Sequence, residues 1–596
     1  MQVKQKLEVL RGAMKEHGID MYIVPSADFH QSEYVGEFFK SRAFMSGFTG
    51  SVGTLIVTLE EAGLWADGRY HLQAENELKD STIKVFKEGL AETQLMNDFI
   101  AEKLPEGGVL GFDGRVVSAK EGEAYAKLAE SKNGKLNVDH DLIEVVWTDR
   151  PSLPTDKAFM LTDELSGEST KSKLARVREK MQEKNADINV IGTLDDIAWL
   201  YNIRGNDVAY NPVVLAYTIV EKDGAKLFVD ENKLTDEIKE VFAQENVKVL
   251  PYNEIYDYVK TLGDIKVLID RQRVNYSMMS NVDKKSEIID QINPTLYMKA
   301  IKNETELENN RQAHIKDGVA ITKFMKYLKE NASKGTMTEL SAEHMVEDLR
   351  KEQEGFIQPS FHSISAYGAN AAMMHYAASE TSNETLKDGQ LYLIDSGGQY
   401  YGGTTDITRT YAIGEVSEEL KRDFTLVVKG MVTLSMVKFL YGCRGYNLDI
   451  LARGAMWKHG IDYLCGTGHG IGYMLNVHEA PNGFRWRIVP ERYDSEVLEA
   501  GMVTTNEPGI YIDGSHGIRL ENELVARNLE KNMYGQFMDF EVITFAPIDL
   551  DAIIPELLNS DERAYLNDYH AEVYEKLAPH LNDEEKEWLK KYTRSI

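Results

Sequence analysis

Four acidic residues and one histidine stand out between positions 391 and 521, because each lies among apolar or glycine neighbours where a packed core would not place it. They are Asp395, Asp406, His469, Glu507 and Glu521. Carboxylates that are buried together are very unstable unless cations neutralise them, so buried charges are normally paired or bind metal. A salt bridge at a strand end would explain any one of these residues, but it explains the five together poorly. The pattern therefore predicts a metal site.

The spacing of the two aspartates predicts that neighbouring strands present them. Residues 391, 393 and 395 fall on one face of a strand by period-two alternation, and residues 404, 406 and 408 do so on the next strand. A chain reversal through the glycines at 397–398 and 402–403 would form a hairpin. Asp395 and Asp406 are therefore expected side by side.

The other three residues are expected to reach the same point. Glu507 and Glu521 are predicted on strands that flank the turn 513–517, so that a second hairpin presents them. His469 lies in a glycine-dense loop, where the backbone can approach a metal closely. Two hairpins and one loop would thus direct five ligands to one site.

The ligand types indicate the kind of metal. Carboxylates with a single imidazole favour hard or borderline ions such as Mn²⁺, with Co²⁺ or Zn²⁺ as alternatives. Four carboxylates carry more negative charge than one divalent ion offsets, so we expect two ions. Two ions about 3.5–4 Å apart can hold a bridging hydroxide and bind the oxygen of a substrate carbonyl. We predict a dinuclear centre for hydrolysis.

The motifs around these residues resemble those of the pita-bread metallopeptidases. The family's five ligands match Asp395 in Ile-Asp-Ser-Gly, Asp406 in Thr-Thr-Asp, His469 in Gly-Thr-Gly-His-Gly, Glu507 in Glu-Pro-Gly and Glu521 in Ile-Arg-Leu-Glu-Asn. Within the family the chain resembles the three-domain Xaa-Pro aminopeptidases. Residues 44–50, 67–70 and 195–200 are similar to their two N-terminal domains, so the resemblance covers nearly the whole chain.

The resemblance implies a role for each ligand. Asp395 would bind one ion, Asp406 and Glu521 would bridge both ions, and His469 and Glu507 would bind the other. Glu507 would also be the general base, taking a proton from the bridging water and passing it towards the leaving amine.

The resemblance also implies further contacts with the substrate. His375 would line the substrate pocket, and His478 would hydrogen-bond the substrate or its tetrahedral intermediate. Arg519 is assigned to the substrate site, and both Arg519 and Arg409 are expected to hold ligand carboxylates. Without the resemblance, a lone histidine such as His375 is more often packed than catalytic. Cys465 departs from the family pattern, since relatives commonly have a histidine there.

The order of predicted elements indicates an α/β fold with an internal repeat. A helix over residues 1–18 and strands at 21–24, 54–57 and 63–65 are followed by the same order at 174–181, 188–191, 214–220 and 227–229. Long helices are predicted at 304–332, 339–351, 418–439, 562–576 and 583–591.

These elements predict α/β and α+β architecture in three domains. The family resemblance implies that two creatinase-like N-terminal α/β domains, at 1–152 and 153–295, precede a pita-bread catalytic domain with a C-terminal helical extension at 296–596. Pro151 and Pro154 lie in a short polar stretch at the first boundary.

Composition excludes several classes of partner. The formal net charge of −29 argues against nucleic acid and against an anionic membrane surface. Two cysteines, Cys443 and Cys465, are typical of a reducing cytosol, and no apolar run approaches the roughly 20 residues that span a bilayer. We expect a cytoplasmic homodimer that the two N-terminal domains help to form.

The predicted activity is hydrolysis of the N-terminal Xaa-Pro bond of peptides through a metal-bridging hydroxide. The proline specificity comes from the resemblance. Two alternatives stay open. Prolidase would cleave Xaa-Pro dipeptides with the same ligands, although such relatives usually have one N-terminal domain. A catalytically inactive pita-bread module would bind peptides only, and it would be expected to have lost ligands.

Overall fold

The computed structural model describes residues 1–68 and 70–596, except the side chain of Leu72, and it forms two compact units. The first comprises Met1–Met160, Glu168–Ala209 and Val213–Thr295, and the second comprises Leu161–Gly167, Tyr210–Pro212 and Leu296–Ile596. Arg69, in the 67–70 motif, lies outside the described residues. Among the helices of the described residues, none combines the length and apolarity needed to cross a bilayer.

The first 300 residues alternate helices and short strands. The strands are β1 (Met21–Pro25), β2 (Thr54–Thr58), β3 (Ala62–Ala66), β4 (Ile83–Lys87), β5 (Val109–Gly111), β6 (Lys135–Asn137), β7 (Phe159–Met160), β8 (Ile188–Ile191), β9 (Ile203–Arg204), β10 (Ala216–Glu221), β11 (Ala225–Val229), β12 (Val247–Leu250), β13 (Lys266–Ile269) and β14 (Glu287–Asp290). The helices are α1 (Val3–Glu16), α2 (Ser41–Ser46), α3 (His71–Leu78), α4 (Met96–Lys103), α5 (Ala119–Glu130), α6 (Ile143–Val146), α7 (Asp163–Ser166), α8 (Thr170–Glu183), α9 (Leu194–Tyr201), α10 (Asp236–Gln244), α11 (Ile255–Tyr258), α12 (Tyr276–Asn281) and α13 (Pro294–Ala300).

The first unit contains the same sheet twice. One six-stranded sheet has the order β4-β3-β2-β1-β5-β6, and the other has the order β12-β11-β10-β8-β13-β14. Strand directions also match, because β1 is antiparallel to β2 and parallel to β5, as β8 is to β10 and β13. The helices α2 and α9 both end at a left-handed residue, Gly47 and Asn202. The repeated element order predicted from the sequence is confirmed.

The second unit combines long helices with antiparallel sheets. Its further helices are α14 (Glu304–Asn331), α15 (Glu339–Lys351), α16 (Glu418–Ser435), α17 (Gly445–Trp457), α18 (Ser560–Leu577) and α19 (Asp583–Tyr592). Its strands are β15 (Phe356–Pro359), β16 (Ile364–Tyr367), β17 (Gln390–Ser396), β18 (Gly398–Tyr400), β19 (Gly403–Thr404), β20 (Ile407–Ile413), β21 (Phe439–Leu440), β22 (Gly468–Gly470), β23 (Glu479–Phe484), β24 (Val503–Asn506), β25 (Gly509–Ile512), β26 (His516–Arg519), β27 (Asn522–Asn532) and β28 (Gly535–Val542).

The predicted ligands lie on or next to strands of two sheets, and a hairpin lies between Glu507 and Glu521. The sheets have the orders β16-β17-β20 and β21-β28-β27-β24-β22-β23, and β25 pairs with β26. The helix predicted at 418–439 ends at Ser435 instead. Phe439 then pairs with Met538 of β28, because Val437 and Phe439 alternate as in a strand and pack in the core beside that sheet.

Alternating residues of β17 serve two cores. Tyr392 and Ile394 pack with Phe324 of α14, whereas Leu391 packs in the core formed by α16. Asp395 shares the parity of Leu391, so the face that carries it is the one turned away from the α14 core. The hydrophobic pattern of β17 thus fixes the direction of a predicted ligand.

A buried ion pair braces the end of β17. Arg350 donates from Nε to Asp317 Oδ1 (2.7 Å) and from Nη2 to the Ser396 carbonyl (3.2 Å), while the Tyr400 hydroxyl donates to Asp317 Oδ1 (2.8 Å). The Arg350 and Asp317 side chains are only 2% and 4% exposed. The pair therefore ties α14 and α15 to the residue next to Asp395.

We predict that Arg350→Met destabilises the second unit. Methionine leaves Asp317 buried and unpaired, which is expected to cost about 3–5 kcal/mol of unfolding free energy in urea titrations followed by tryptophan fluorescence. Lys351→Met is the matched control, because Lys351 is 54% exposed and pairs with Glu347 and Asp348 at the surface. Equal unfolding midpoints for the two variants would contradict the bracing role.

Candidate metal centre

Asp395 and Asp406 lie at one end of the β17–β20 pair. β17 and β20 are antiparallel, and Asp395 stands opposite Thr408. Asp406 immediately precedes β20 and shares the parity of Thr408, so both aspartates lie on one face. Between them the chain forms β18 and β19, and at Gly397 a Cβ atom would lie 1.9 Å from the Thr405 carbonyl oxygen. The predicted proximity of the two aspartates is therefore seen, and it requires this glycine.

Glu507 and Glu521 lie just outside the strands on which they were predicted. β24 pairs with β27 so that Asn506 faces Asn522, and the two glutamates follow and precede these residues. Their amides leave the ladder, since Glu507 N donates to the Thr467 carbonyl (2.8 Å) and Glu521 N donates to the Thr408 carbonyl (3.1 Å). Pro508 has no N–H group and cannot continue the strand. The glutamates thus face each other where the β25–β26 hairpin leaves the sheet.

His469 was predicted in a loop, but it lies at the centre of the short strand β22, between two glycines that allow close approach. A Cβ atom on Gly468 would lie 1.9 Å from the Thr505 carbonyl oxygen, and one on Gly470 would lie 2.2 Å from the Glu479 carbonyl oxygen. The His469 Nε2 atom is 3.4 Å from both Asp406 Oδ2 and Glu507 Oε1. Its Nδ1 atom is 3.0 Å from the Gly470 carbonyl, so Nδ1 donates to that carbonyl and Nε2 is the ring nitrogen that faces the acids.

The donor atoms of these side chains are arranged to bind a cation rather than to form hydrogen bonds with one another. Ligand atoms of Asp406, His469 and Glu521 lie within 4.8 Å of one another. Asp395 Oδ1 and Glu521 Oε1 are buried oxygens without a hydrogen-bond partner among the described residues. Burial, together with the nearby charges of Asp395 and Glu507, raises the pKa of both Asp406 and Glu521 well above the ordinary values. Such unsatisfied, mutually repelling oxygens are suitable ligands for hard or borderline divalent ions.

Arg519 orients two of the acids. Its guanidinium donates to Asp395 Oδ2 (2.5 Å), to Thr408 Oγ1 (3.1 Å) and to the Tyr511 hydroxyl (2.8 Å). Thr408 in turn donates to Glu521 Oε2 (2.7 Å). These contacts are those of a residue that positions Asp395, and a direct contact between Arg519 and substrate stays a prediction.

Arg409 differs from the expectation that it holds a ligand carboxylate. Its Nη1 atom donates to the main-chain carbonyl of Glu521 (2.5 Å), and its Nη2 atom donates to Asn522 Oδ1 (2.8 Å). It therefore fixes the backbone that carries Glu521.

A histidine–glutamate pair that the sequence analysis missed supports Asp406. Glu523 Oε1 accepts a hydrogen bond from Asp406 N (2.8 Å) and lies 3.0 Å from His314 Nε2. His314 Nδ1 is 2.8 Å from the Asn310 carbonyl. Burial alone would lower the pKa of His314, but Glu523, the Asn310 carbonyl and the charge of Asp317 together raise that pKa. The sequence signal for this pair is Glu523 itself, an acid two residues beyond Glu521 and directly before the buried apolar residues Leu524, Val525 and Ala526.

The remaining predicted residues lie around this centre in different ways. The His478 ring meets the His469 ring edge-on, with centroids 4.3 Å apart. His375 is exposed, on a segment that follows β16. Burial raises the pKa of the Cys465 thiol to about 11, so it stays protonated near neutral pH, as expected of a small apolar residue rather than a nucleophile.

Known protein families and individual proteins match this chain over nearly its whole length. The Creatinase/Prolidase N-terminal domain matches residues 6–144 and again 149–306, metallopeptidase family M24 matches residues 308–528, and the C-terminal region of peptidase M24 matches residues 536–596. A probable Xaa-Pro aminopeptidase P of Laccaria bicolor is 39% identical over 98% of this chain and 92% of its own length. Xaa-Pro aminopeptidase 1 of Dictyostelium discoideum is 37% identical over 100% of this chain and 97% of its own length.

A solved structure also matches this chain over its full length. The crystal structure of X-prolyl aminopeptidase from Caenorhabditis elegans, described as a cytosolic enzyme with a di-nuclear active site, superposes with a TM-score of 0.93 at 33% identity and covers 100% of both chains. The chain belongs to metallopeptidase family M24. The predicted fold, the resemblance to three-domain Xaa-Pro aminopeptidases and the assignment to an enzyme class are thereby confirmed.

We predict that Asp406→Asn stabilises the metal-free protein. Raised folded-state pKa values mean that the ionised acids destabilise the fold at high pH, and that this penalty fades as the pH falls through the folded pKa towards the unfolded value near 4. In calorimetry with chelator, the variant should therefore melt higher than the wild type at pH 8, with a smaller gap at pH 5.

Added Mn²⁺ should reverse the order by stabilising the wild type more than the variant. Asp348→Asn, at an acid whose side chain is 71% exposed, is the control and should track the wild type. A metal-free Asp406→Asn protein that melts below the wild type at pH 8 would contradict the repulsion.

Proposed function

We propose that the protein is a metal-dependent aminopeptidase that removes the N-terminal residue from peptides whose second residue is proline. The observation that carries this proposal is the group of acids facing the His469 Nε2 atom, in which Asp395 Oδ1 and Glu521 Oε1 are buried and have no hydrogen-bond partner in the described part of the chain. Similarity to Xaa-Pro aminopeptidases over nearly the full chain supports the substrate class.

The proposed ligand set follows the positions of the donors. Asp395 would hold one ion, Asp406 and Glu521 would be shared, and His469 and Glu507 would hold the other. We propose Mn²⁺, with Co²⁺ or Zn²⁺ as alternatives. Divalent ions at such a site supply Lewis acidity and lower the pKa of water. The di-nuclear active site described for the Caenorhabditis elegans enzyme supports two ions.

Glu507 is the proposed general base. It is half-buried, and its Oε1 atom lies 3.4 Å from His469 Nε2 and accepts a hydrogen bond from Thr505 Oγ1 (3.2 Å). These contacts fix the carboxylate while leaving it accessible from the site. It would take the proton of the attacking water at this carboxylate and deliver it to the leaving amine.

Two histidines are proposed to contact the substrate. His478 is held edge-on against the ligand His469, so its ring can donate to the carbonyl oxygen on which negative charge develops. His375 would contact the peptide from its exposed segment. Arg519 would act by fixing Asp395. A proline in second position makes the scissile bond a tertiary amide of restricted geometry, which a dedicated pocket can recognise.

We further propose the domain limits 1–152, 153–295 and 296–596 and a cytoplasmic homodimer. One six-stranded sheet in each of the first two segments supports the limits.

Exposed apolar side chains support the homodimer. Leu464, Trp486 and Ile488 are 87%, 49% and 57% exposed. Because Gly466 approaches the Arg485 guanidinium, these side chains lie on adjacent stretches suited to an interface. The cytosolic relative supports the location.

The substrate assignment is tested with a matched pair of peptides. Chelated protein should cleave an Xaa-Pro-Xaa tripeptide only after Mn²⁺ is added, and it should cleave the Xaa-Pro dipeptide poorly, as measured by release of the N-terminal amino acid. Cleavage of the dipeptide alone would change the assignment to prolidase. Binding of the peptides without cleavage would favour an inactive module.

Asp406→Ala should abolish tripeptide cleavage, because the proposed shared ligand is lost. Steady-state rates with saturating Mn²⁺ are the measurement, and Asp348→Ala on the exposed side of α15 is the control. A kcat near the wild-type value in the metal-replete Asp406→Ala protein would refute the ligand assignment.

A further inference from the structure

The segment that carries His375 has little regular secondary structure, yet both of its ends are bound by one carboxylate. The segment runs from residue 368 to residue 384 and begins with a 3₁₀ turn, Gly368–Ala372. Glu339, the first residue of α15, is fully buried beneath it. At the start, Tyr367 N donates to Glu339 Oε1 (2.7 Å), and at the end Glu384 N donates to Glu339 Oε2 (2.8 Å).

The interior of the segment uses the same carboxylate. Asn370 Nδ2 donates to Glu339 Oε1 (3.0 Å), and the Tyr376 hydroxyl donates to Glu339 Oε2 (2.8 Å). Burial, with the Glu339 charge, raises the pKa of the Tyr376 phenol, so the hydroxyl stays a donor at neutral pH. Hydrogen bonds to an ionised acceptor are stronger than neutral ones, and a carboxylate is the side chain that can accept all of these at once.

The segment lies on the face of β17 that leads to the metal centre. Ala371, Tyr376 and Ala378 pack in one cluster with Leu393. Leu393 and Asp395 have the same parity on β17, and Ile364 of β16, opposite Asp395, belongs to that cluster too. The 3₁₀ turn also lies against β26, where a Cβ atom on Gly517 would be 1.8 Å from the Ala371 carbonyl oxygen. β26 ends in Arg519, the partner of Asp395.

We propose that Glu339 is a positioning residue for peptide cleavage, because its carboxylate fixes the 368–384 segment and so places His375 against the substrate. Glu339 contacts neither the metal centre nor the peptide in this scheme. This role of Glu339 rests on the proposed function in one respect, because it requires that His375 contact the substrate. The fixed arrangement selects peptides by holding one wall of the site in place, which lowers the KM without changing the ligands.

Glu339→Gln is the direct test. Glutamine keeps the size and one acceptor oxygen, but its amide nitrogen cannot accept. Either Tyr367 N and Asn370 Nδ2 or Glu384 N and the Tyr376 hydroxyl therefore lose their acceptor. We expect the KM for the Xaa-Pro-Xaa tripeptide to rise by up to about 100-fold with a smaller change in kcat. The affinity for Mn²⁺, measured by calorimetric titration, should be unchanged. Glu347→Gln on the same helix, where Glu347 pairs with Lys351 at the surface (2.9 Å), should behave as the wild type.

A double-mutant cycle with His375→Ala tests whether Glu339 acts through the histidine. Adding Glu339→Gln to His375→Ala should then cause little further loss in kcat/KM. Full additivity of the two losses would overturn the proposal, as would wild-type kinetics in Glu339→Gln beside an impaired His375→Ala. Wild-type kinetics in His375→Ala would overturn the substrate role of His375 and the positioning role together.

Hydrogen exchange separates failure of this proposal from failure of the proposed activity. Amides between residues 368 and 384 should exchange faster in Glu339→Gln, whatever the substrate is, and unchanged protection there would overturn the proposal. If Glu339→Gln does not fold, Tyr376→Phe removes one donor to the same carboxylate and should raise the KM and the exchange rate to a smaller extent. An unchanged KM and an unchanged exchange rate in Tyr376→Phe would then overturn the positioning role of Glu339.

Discussion

The candidate metal centre holds several carboxylates together in a buried site, and the contacts around it oppose their mutual repulsion. Asp395, Asp406 and Glu521 are nearly inaccessible, and Glu507 is close enough to raise the pKa of two of them. Carboxylates in such an environment either take up protons or bind cations. Arg519 provides one internal positive charge, which is bound to Asp395. The remaining charge is the reason that a pair of divalent ions is the natural complement of this site.

The surrounding fold keeps these charges in place against their repulsion. The Arg350–Asp317 pair braces the end of β17, Arg409 binds the carbonyl of Glu521, and the Glu523 carboxylate accepts the amide of Asp406. Each of these contacts acts on backbone or on a single ligand orientation, so the ligand carboxylates have few alternative positions. A site that is already arranged loses little conformational entropy when ions bind.

The sequence was informative where local pattern determines structure and much less so where distant residues meet. Period-two alternation correctly placed Asp395 and Asp406 on one face, although Asp406 immediately precedes β20 instead of lying within a strand. The repeated order of short elements predicted two equivalent sheets. Glu507 and Glu521 were predicted on strands, but Pro508 and main-chain bonds to other elements take them out of the ladder. The partners of Asp406 and of the His375 segment, namely Glu523, His314 and Glu339, are remote in sequence from the groups they hold. No spacing rule connects such residues.

The central claim is that divalent ions occupy the space among these acids, and anomalous diffraction tests it most directly. Crystals grown with Mn²⁺ and measured on both sides of the manganese absorption edge should show two anomalous peaks bounded by Asp395, Asp406, His469, Glu507 and Glu521. An absence of peaks there, with the acidic side chains turned away from one another, would contradict the account.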